Sequence, residues 1–282
     1  MYNCLILEQK GFTLHECTET GLEEIIGHLL KKLPFTVNMH AAIRDYRERC
    51  RILVARRGNY IWGVLVEFRT TYNRHVWLDP IVWITGTPEV ASALLEMRGY
   101  EPSIVISECD FSPNSGKFIP EMSLYQEFVM TASLENPVQS NGVTRGNTRQ
   151  LNAENARSSL SFSGYADDEI DPETLRREEN FLNERICLGH YVDGELLSRG
   201  AIMSTTGEYA TVGAFFTLES KRGQGYGTEI ISEVMKMASL RSRKACLFVR
   251  STNDKAISVY RKLGFEIHGA AFFTDLGTGS AP

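Results

Sequence analysis

The clearest pattern of apolar and polar positions lies in the second half of the chain. The stretches "RICLGHYV" and "ELLSRGAIMS" are separated by Asp193-Gly194, a dipeptide that readily takes up the positive φ angles of a tight turn, so they predict a β-hairpin. A third strand is predicted at "YATVGAFFTL". The helix predicted after it places its apolar residues on one face, namely Ile230, Ile231, Val234, Met235 and Ala238. A strand at "ACLFV" and a further helix complete the pattern.

The first half, residues 1 to about 130, repeats this mixture of strands and helices. A helical period runs through residues 22–33, and the two apolar runs of "RILVARRGNYIWGVLVEF" flank a turn in the manner of a hairpin. After the strand-like "HVWLDPIVWITG", a helix is predicted with Thr87 as its N-cap, Pro88 in its first position and Gly99 at its end. Both halves therefore predict the α/β fold class with a mixed sheet.

The domain boundaries follow from a change of composition. The segment "TASLENPVQSNGVTRGN" is polar and contains proline and glycine, which is typical of a linker. We expect a first domain over residues 1–130, a linker over 131–141 and a second domain over 142–282. The second domain is predicted to begin with a helix over residues 148–160, followed by an acidic stretch and by another helix that starts at "DPETL".

Composition and charge exclude several classes of function. The chain has 282 residues, a net charge of −5 and no run of lysine and arginine, so we expect no nucleic-acid partner. Its six cysteines show no Cys-x-x-Cys or Cys/His spacing, which argues against a metal site and a disulfide framework. Charged residues occur early in the N-terminal segment, and nowhere do about 18 apolar residues run together. We therefore expect no signal peptide, no membrane span and a cytoplasmic location.

A glycine-rich stretch, "ESKRGQGYGTEIISEVMKM", joins the third predicted strand of the second half to the following helix. Gly223, Gly225 and Gly227 stand at alternate positions where that helix should start. A strand, a flexible turn and a helix N-terminus form a phosphate-binding arrangement, because the unpaired N–H groups and the helix dipole favour an anion. The stretch is neither a Walker loop nor the G-x-G-x-x-G fingerprint. Alone, it is equally compatible with a turn whose glycines only relieve crowding.

A second motif, "STNDKAISVYRKLGF", places Asn253, Ala256, Tyr260 and Gly264 on or beside the last helix. Together the two stretches resemble the GNAT superfamily of acyl-CoA-dependent N-acyltransferases over about residues 142–276. That family carries an R/Q-x-x-G-x-G/A loop after its fourth strand and an N-x-x-A-x-x-x-Y-x-x-x-G-F pattern in the next helix and its exit. One departure is Glu219, which stands where the family often has proline.

The resemblance implies acetyl-CoA as acyl donor and a primary amine as acceptor. It implies that the backbone of one strand end holds the pantetheine arm and that the glycine stretch holds the pyrophosphate. The implied cofactor-binding residues are Phe215, Phe216, Thr217, Arg222, Gly223, Gln224, Gly225, Tyr226, Gly227, Thr228 and Asn253. Tyr260 corresponds to the tyrosine that protonates the departing thiolate. Asn253 also suits a helix N-cap, and Tyr260 also suits a buried core position.

No residue is identified as the general base that an amine acceptor needs. Phe248 stands where some family members carry a glutamate, and Glu208 beside the fourth strand is a weak alternative. The acidic residues 167–169 either attract a cationic amine or form a solvated loop. His190 suits a proton shuttle, but a lone histidine in a strand is more often structural.

The first half is predicted to be a degenerate copy of the same GNAT-like fold. Its strand, turn and helix lack the phosphate-cradling pattern, since Pro88 removes one N–H and only Gly86 supplies local freedom. An inert first half with an active second half resembles the glycine N-acyltransferase-like branch, which has a similar "YRKLGF" ending. The alternatives are a CoA-binding or sensing protein without catalysis and a purely structural two-domain protein.

Overall fold

The structure, a computed structural model, describes residues 7–9, 11–19, 21–70, 80–99, 103–109, 123–138 and 146–275. These residues form two compact units. The first unit contains the described residues up to 128 together with 269–275, and the second contains residues 129–268.

The first half of the chain alternates strands with helices. Its elements are β1 (Leu7–Gln9), β2 (Phe12–Glu16), α1 (Leu22–Leu30), α2 (Val37–Asp45), β3 (Cys50–Arg57), β4 (Tyr60–Phe68), β5 (Ile81–Ile84), α3 (Pro88–Arg98), β6 (Ile104–Ser107) and β7 (Ser123–Ser133). Adjacent strands from β2 to β5 pair antiparallel, whereas β5 and β6 pair in parallel. Helix α3 packs its apolar residues, Val90 and Leu94 among them, against the buried side chains of β3 to β6.

The second half repeats this order. Its elements are β8 (Asn147–Leu151), α4 (Ala156–Phe162), α5 (Pro172–Glu184), β9 (Ile186–Val192), β10 (Glu195–Thr205), β11 (Tyr209–Thr217), α6 (Tyr226–Ser239), β12 (Lys244–Arg250), α7 (Asp254–Lys262) and β13 (Glu266–Asp275). Strands β8 to β11 are antiparallel, and β11 is parallel to β12. After its opening strand or strands, each half therefore runs through two helices, three strands, a helix and a strand, and α7 is a further helix of the second half. This mixed arrangement confirms the predicted α/β fold class.

The last strand of each sheet comes from an unexpected part of the sequence. In the first unit, residues 272–275 of β13 pair antiparallel with β6. In the second unit, β12 lies between β11 and β7. The chain therefore completes its first sheet with its last described strand. The predicted boundary at residues 131–141 begins within β7 and continues outside the described residues, so the domain limits stay predictions.

The hairpin predicted at Asp193-Gly194 is confirmed. Val192 pairs with Glu195, and the two turn residues have φ angles of 50° and 85°. The helix predicted over residues 148–160 is wrong in its first part, because residues 147–151 pair with β9 as a strand. Helix α4 begins only at Ala156, after a short 3-10 turn. In contrast, α5 starts as predicted, with the Asp171 carboxylate accepting the Thr174 N–H at 2.7 Å.

Two findings bear on membranes and metals. Within the described ranges, no helix is long and apolar enough to cross a membrane. Among the same residues, no group of three or more His, Cys, Asp or Glu side chains is arranged to hold a metal ion.

The position of β7 predicts how the second half behaves as a fragment. A fragment of residues 142–282 lacks β7, whereas a fragment of residues 123–282 retains it. We expect the shorter fragment to unfold at a temperature lower by roughly 5 °C or more, because it exposes one edge of β12. Thermal unfolding followed by circular dichroism measures the difference. Equal midpoints would contradict the role of β7 in the second sheet.

Candidate functional site

Strands β11 and β12 of the second unit separate along their length. They pair in parallel only at their first residues, Tyr209 with Lys244, Ala210 with Ala245 and Thr211 with Cys246. Beyond that last pair, β11 continues to Thr217 and β12 to Arg250 with no further pairing between the two strands. We call this opening the β11/β12 gap. A ligand that lies between the strands would face the edges of both.

A β-bulge bends β11 beside the gap. Arg199 of β10 pairs with Phe216, and Ala201 pairs with Gly213, so that Gly200 alone faces two residues of β11. One of the two, Ala214, has a φ angle of 51°, in the left-handed region that residues with a side chain rarely adopt. The bulge redirects β11 at the point where it leaves its neighbour β12. Phe215, Phe216 and Thr217 follow it and are half-buried.

The closed end of the gap is apolar and inert. The Thr211 hydroxyl lies 3.4 Å from the Cys246 sulfur, and burial raises the pKa of the fully buried Cys246 thiol to about 12. Glu208 lies at the same end and forms an ion pair of 3.2 Å with Lys244. Since a strand rises about 3.3 Å per residue, Phe216 is on the order of 25 Å from Glu208. This distance removes Glu208 as a base for chemistry at the open end.

The open end leads into the glycine loop, residues 218–225. Gly223 and Gly225 have φ angles of 78° and 93°, which explains why glycine stands at both positions. Gly225 is the N-cap of α6, and a Cβ atom at Gly227 would lie 3.2 Å from the Thr217 hydroxyl oxygen, so the helix starts close against the strand end. The N–H groups of the first helical turn have no intrahelical acceptor, and the helix dipole is positive there. The geometry suits a phosphate group.

Two side chains border the glycine loop. The exposed Arg222 guanidinium lies 3.3 Å from the Glu219 carboxylate and 3.4 Å from the Thr217 carbonyl oxygen. The Gln224 side-chain amide donates to the Ser220 carbonyl oxygen at 3.2 Å. Because exposed ion pairs are weak, Arg222 can exchange Glu219 for an anionic ligand at little cost.

Helix α7 brings Tyr260 to the gap. The Tyr260 ring centroid lies 6.1 Å from that of Phe215 on β11 and 5.9 Å from that of Phe265. The side chain is half-buried rather than enclosed in the core. At the start of α7, the Asn253 side-chain oxygen accepts the Ala256 N–H at 3.1 Å. Asn253 is therefore a helix N-cap, and its predicted contact with a cofactor stays a prediction.

The other polar candidates have structural contacts. His190 is buried in β9, and its Nδ1 atom lies 2.9 Å from the Thr148 hydroxyl oxygen. In the exposed 3-10 turn of residues 167–169, the Glu169 carboxylate accepts the Ala166 N–H at 2.9 Å. Phe248 is half-buried on β12, and like any phenylalanine it offers no base.

Sequence reasoning missed a buried charged network behind the bulge. Arg199 of β10 donates at 2.7 Å to the Glu178 carboxylate of α5, which also accepts the Ser159 hydroxyl of α4 at 2.7 Å. Glu178 is 0% exposed and Arg199 is 7% exposed. The network ties both helices to the strand that borders the bulge. The signal was available in "LLSRGAIM", where one arginine interrupts an apolar strand.

The corresponding region of the first unit is closed. Strands β5 and β6 pair at all of their positions, from Ile81 with Ile104 to Ile84 with Ser107, so no gap opens between them. Before α3, the Gly86 N–H donates at 2.8 Å to the Glu108 carboxylate, which also forms an ion pair with Lys32. The protein's own carboxylate thus lies where the second unit offers free N–H groups.

Comparisons with known proteins agree with this geometry. Residues 153–265 match the model of the Acetyltransferase (GNAT) family, and this range contains the β11/β12 gap, the glycine loop and α7. No curated protein matches the chain.

Several solved structures share the fold. A Drosophila protein is similar with a TM-score of 0.69 at 13% identity, over 95% of this chain and 99% of that one. A GCN5-related N-acetyltransferase from Kribbella flavida is similar with a TM-score of 0.59 at 15% identity, over 86% and 95%. A tandem GNAT protein from the clavulanic acid biosynthesis pathway is similar with a TM-score of 0.57 at 14% identity, over 95% and 100%. The chain therefore shares its fold with these structures over most of its length.

The buried network makes a prediction about stability. We expect Glu178→Ala to lower the free energy of unfolding by about 3–5 kcal/mol, because it leaves the Arg199 charge buried without its carboxylate. The matched control on the same helix is Glu173→Ala, which removes an exposed pair with Arg177 and should cost about 0.5 kcal/mol or less. Urea unfolding of both variants measures the difference. Similar losses of unfolding free energy in the two variants would show that the buried pair stabilises the protein no more than the exposed pair does.

Proposed function

We propose that the second domain, predicted from sequence over residues 142–282, is an N-acyltransferase that moves an acetyl group from acetyl-CoA to a primary amine. The observation that carries this proposal is the convergence of the β11/β12 gap, the glycine loop and Tyr260 at one end of β11. The family match over residues 153–265 supports the same reaction class. Two structural relatives are named as GCN5-related N-acetyltransferases, which is in line with it.

The donor is expected to enter with its pyrophosphate on the glycine loop. The N–H groups from Gly223 to Thr228 supply donors, Arg222 supplies a cation, and the α6 dipole favours the negative charge. The pantetheine arm then lies in the β11/β12 gap, along the edge of residues 215–217 that faces away from β10, as an added strand would lie. Asn253 contributes its amide N–H groups, since its oxygen is used for capping.

The reaction consists of direct attack of the neutral amine on the thioester carbon. The C–N bond forms as the C–S bond breaks, and Tyr260 donates its proton to the departing sulfur. A phenol of ordinary pKa, about 10, can protonate a thiolate whose conjugate acid lies near 8.5. The amine loses its proton to water in this scheme, because the buried Glu178 carboxylate is held by Arg199 and Ser159. The Tyr260 phenolate then regains a proton from water.

The first unit is proposed to be inert towards CoA. Its β5 and β6 leave no gap, and Glu108 already accepts the N–H before α3. One acetyl-CoA molecule per chain is therefore expected. The narrower likeness to the glycine N-acyltransferase-like branch is kept as part of the proposal.

The alternative function is CoA binding or sensing without catalysis. The observation that favours it is the lack of a free carboxylate among the described residues that border the gap, with Phe248 in the strand position that carries glutamate in some family members. The two functions differ in one measurement. A catalyst releases free CoA thiol from acetyl-CoA in the presence of an amine from a panel of small amines, amino acids and peptides, and a sensor does not.

The glycine loop is tested by Gly225→Asp. We expect this variant to lose acetyl-CoA affinity by roughly 100-fold or more, because a fixed carboxylate would stand beside the pyrophosphate. Isothermal titration calorimetry measures affinity and the ratio of one ligand per chain. The matched control is Gly164→Asp, whose backbone φ of 95° resembles the 93° of Gly225 and whose site is open. Equal losses in both variants would point to backbone strain instead of a ligand site.

The role of Tyr260 is tested by removing its hydroxyl. We expect Tyr260→Phe to lower kcat about 100-fold while acetyl-CoA affinity stays within about twofold, since the hydroxyl acts on the leaving group. Tyr191→Phe is the control, because Tyr191 lies on β9 and keeps its ring under Arg149. A thiol-release assay measures kcat. A variant as active as the wild-type protein would eliminate Tyr260 as the acid.

A further inference from the structure

Gly200 leaves a hollow in β10 that the Phe215 ring fills. A Cβ atom at Gly200 would lie 2.5 Å and 2.6 Å from Cδ1 and Cε1 of Phe215, and 3.2 Å from Cγ2 of Val234 on α6. Carbon atoms in contact are normally about 3.5–4.0 Å apart. The ring therefore rests in space that any other residue at position 200 would occupy.

The neighbours of Phe215 fix the direction in which its ring can move. Strand β11 lies between β10 and β12 in the sheet. On the β10 side the ring contacts Gly200, and Val234 of α6 covers the same spot. The Tyr260 ring of α7 is also a neighbour, with its centroid 6.1 Å from that of Phe215. Since Gly200 and Val234 bound the hollow, we expect a ring displaced from it to take up space beside Tyr260, at the β11/β12 gap.

We infer that Gly200 is a positioning residue for acyl transfer: it stores the Phe215 ring outside the gap, and this leaves room for the thioester end of the donor next to Tyr260. This inference rests on the proposed function. It adds a residue on the neighbouring strand that touches neither donor nor acceptor. Position 200 requires glycine because the bulge places both Ala214 and Phe215 opposite it.

The test is Gly200→Ala with acetyl-CoA as the probe. An added methyl group overpacks the site, and we expect acetyl-CoA affinity to fall about tenfold or more. The control is Gly207→Ala in the turn between β10 and β11, outside the gap, where an added Cβ atom would have nothing within 4 Å. This control should bind acetyl-CoA within about twofold of wild type, since the added methyl group needs no rearrangement.

Two further measurements separate positioning from general damage. The first is the affinity for 3′-phospho-ADP, the part of CoA without pantetheine, which Gly200→Ala should leave unchanged because the glycine loop is untouched. The second is a double-mutant cycle that combines Gly200→Ala with Phe215→Leu. The smaller leucine side chain does not need the hollow at Gly200. The double variant should bind acetyl-CoA as tightly as Phe215→Leu alone. This comparison still tests the inference if the single variant Gly200→Ala fails to fold.

Each outcome is decisive. Wild-type protein that binds no acetyl-CoA overturns the proposed function and this inference with it. Wild-type binding with an equally tight Gly200→Ala variant overturns the inference alone. The inference also falls if Gly200→Ala weakens acetyl-CoA and 3′-phospho-ADP equally, or if its effect persists in the Phe215→Leu background.

Discussion

The candidate site depends on one constraint, the early end of the parallel ladder between β11 and β12. Pairing stops at Thr211 and Cys246, and both strands continue past that point. Parallel strands normally pair along their whole common length, because an unpaired buried backbone group costs free energy. A bulge at Ala214 lies in the part of β11 that no longer pairs with β12, and bulges bend the strand in which they occur. The glycine loop and α6 then begin at the open end.

The two units show how small a change closes such a site. Both halves run through two helices, three strands, a helix and a strand, but in the first half β5 and β6 stay paired and the Glu108 carboxylate accepts the Gly86 N–H. The Glu108 carboxylate and a bound phosphate would satisfy the same N–H group, so they exclude one another at that position. In the first unit the N–H group before α3 is thus satisfied by a carboxylate of the protein itself.

Much of the fold could be predicted from local rules. The Asp193-Gly194 hairpin, the Asp171 cap of α5 and the glycines before α6 each depend on short-range backbone preferences, and the structure bears out all three. The long-range features could not be predicted in this way. Residues 147–151 form a strand only because β9 lies beside them, and Ala214 adopts a left-handed φ that its sequence does not signal. The hollow at Gly200 and the contact between Glu178 and Arg199 likewise exist only once separate elements pack together.

The net charge of −5 is compatible with the anionic ligand that we propose. At physiological ionic strength the Debye length is about 8 Å, so exposed carboxylates further away contribute little potential at the glycine loop. Within that distance the structure places the α6 N-terminus and the Arg222 guanidinium, while Glu219 already lies against Arg222. An incoming pyrophosphate competes with Glu219 for the guanidinium and also gains the N–H donors, which Glu219 does not use in the described contacts. Local geometry therefore outweighs total charge at this site. The negative net charge argues against a broad basic surface that would bind a polyanion, but not against a local site for one pyrophosphate.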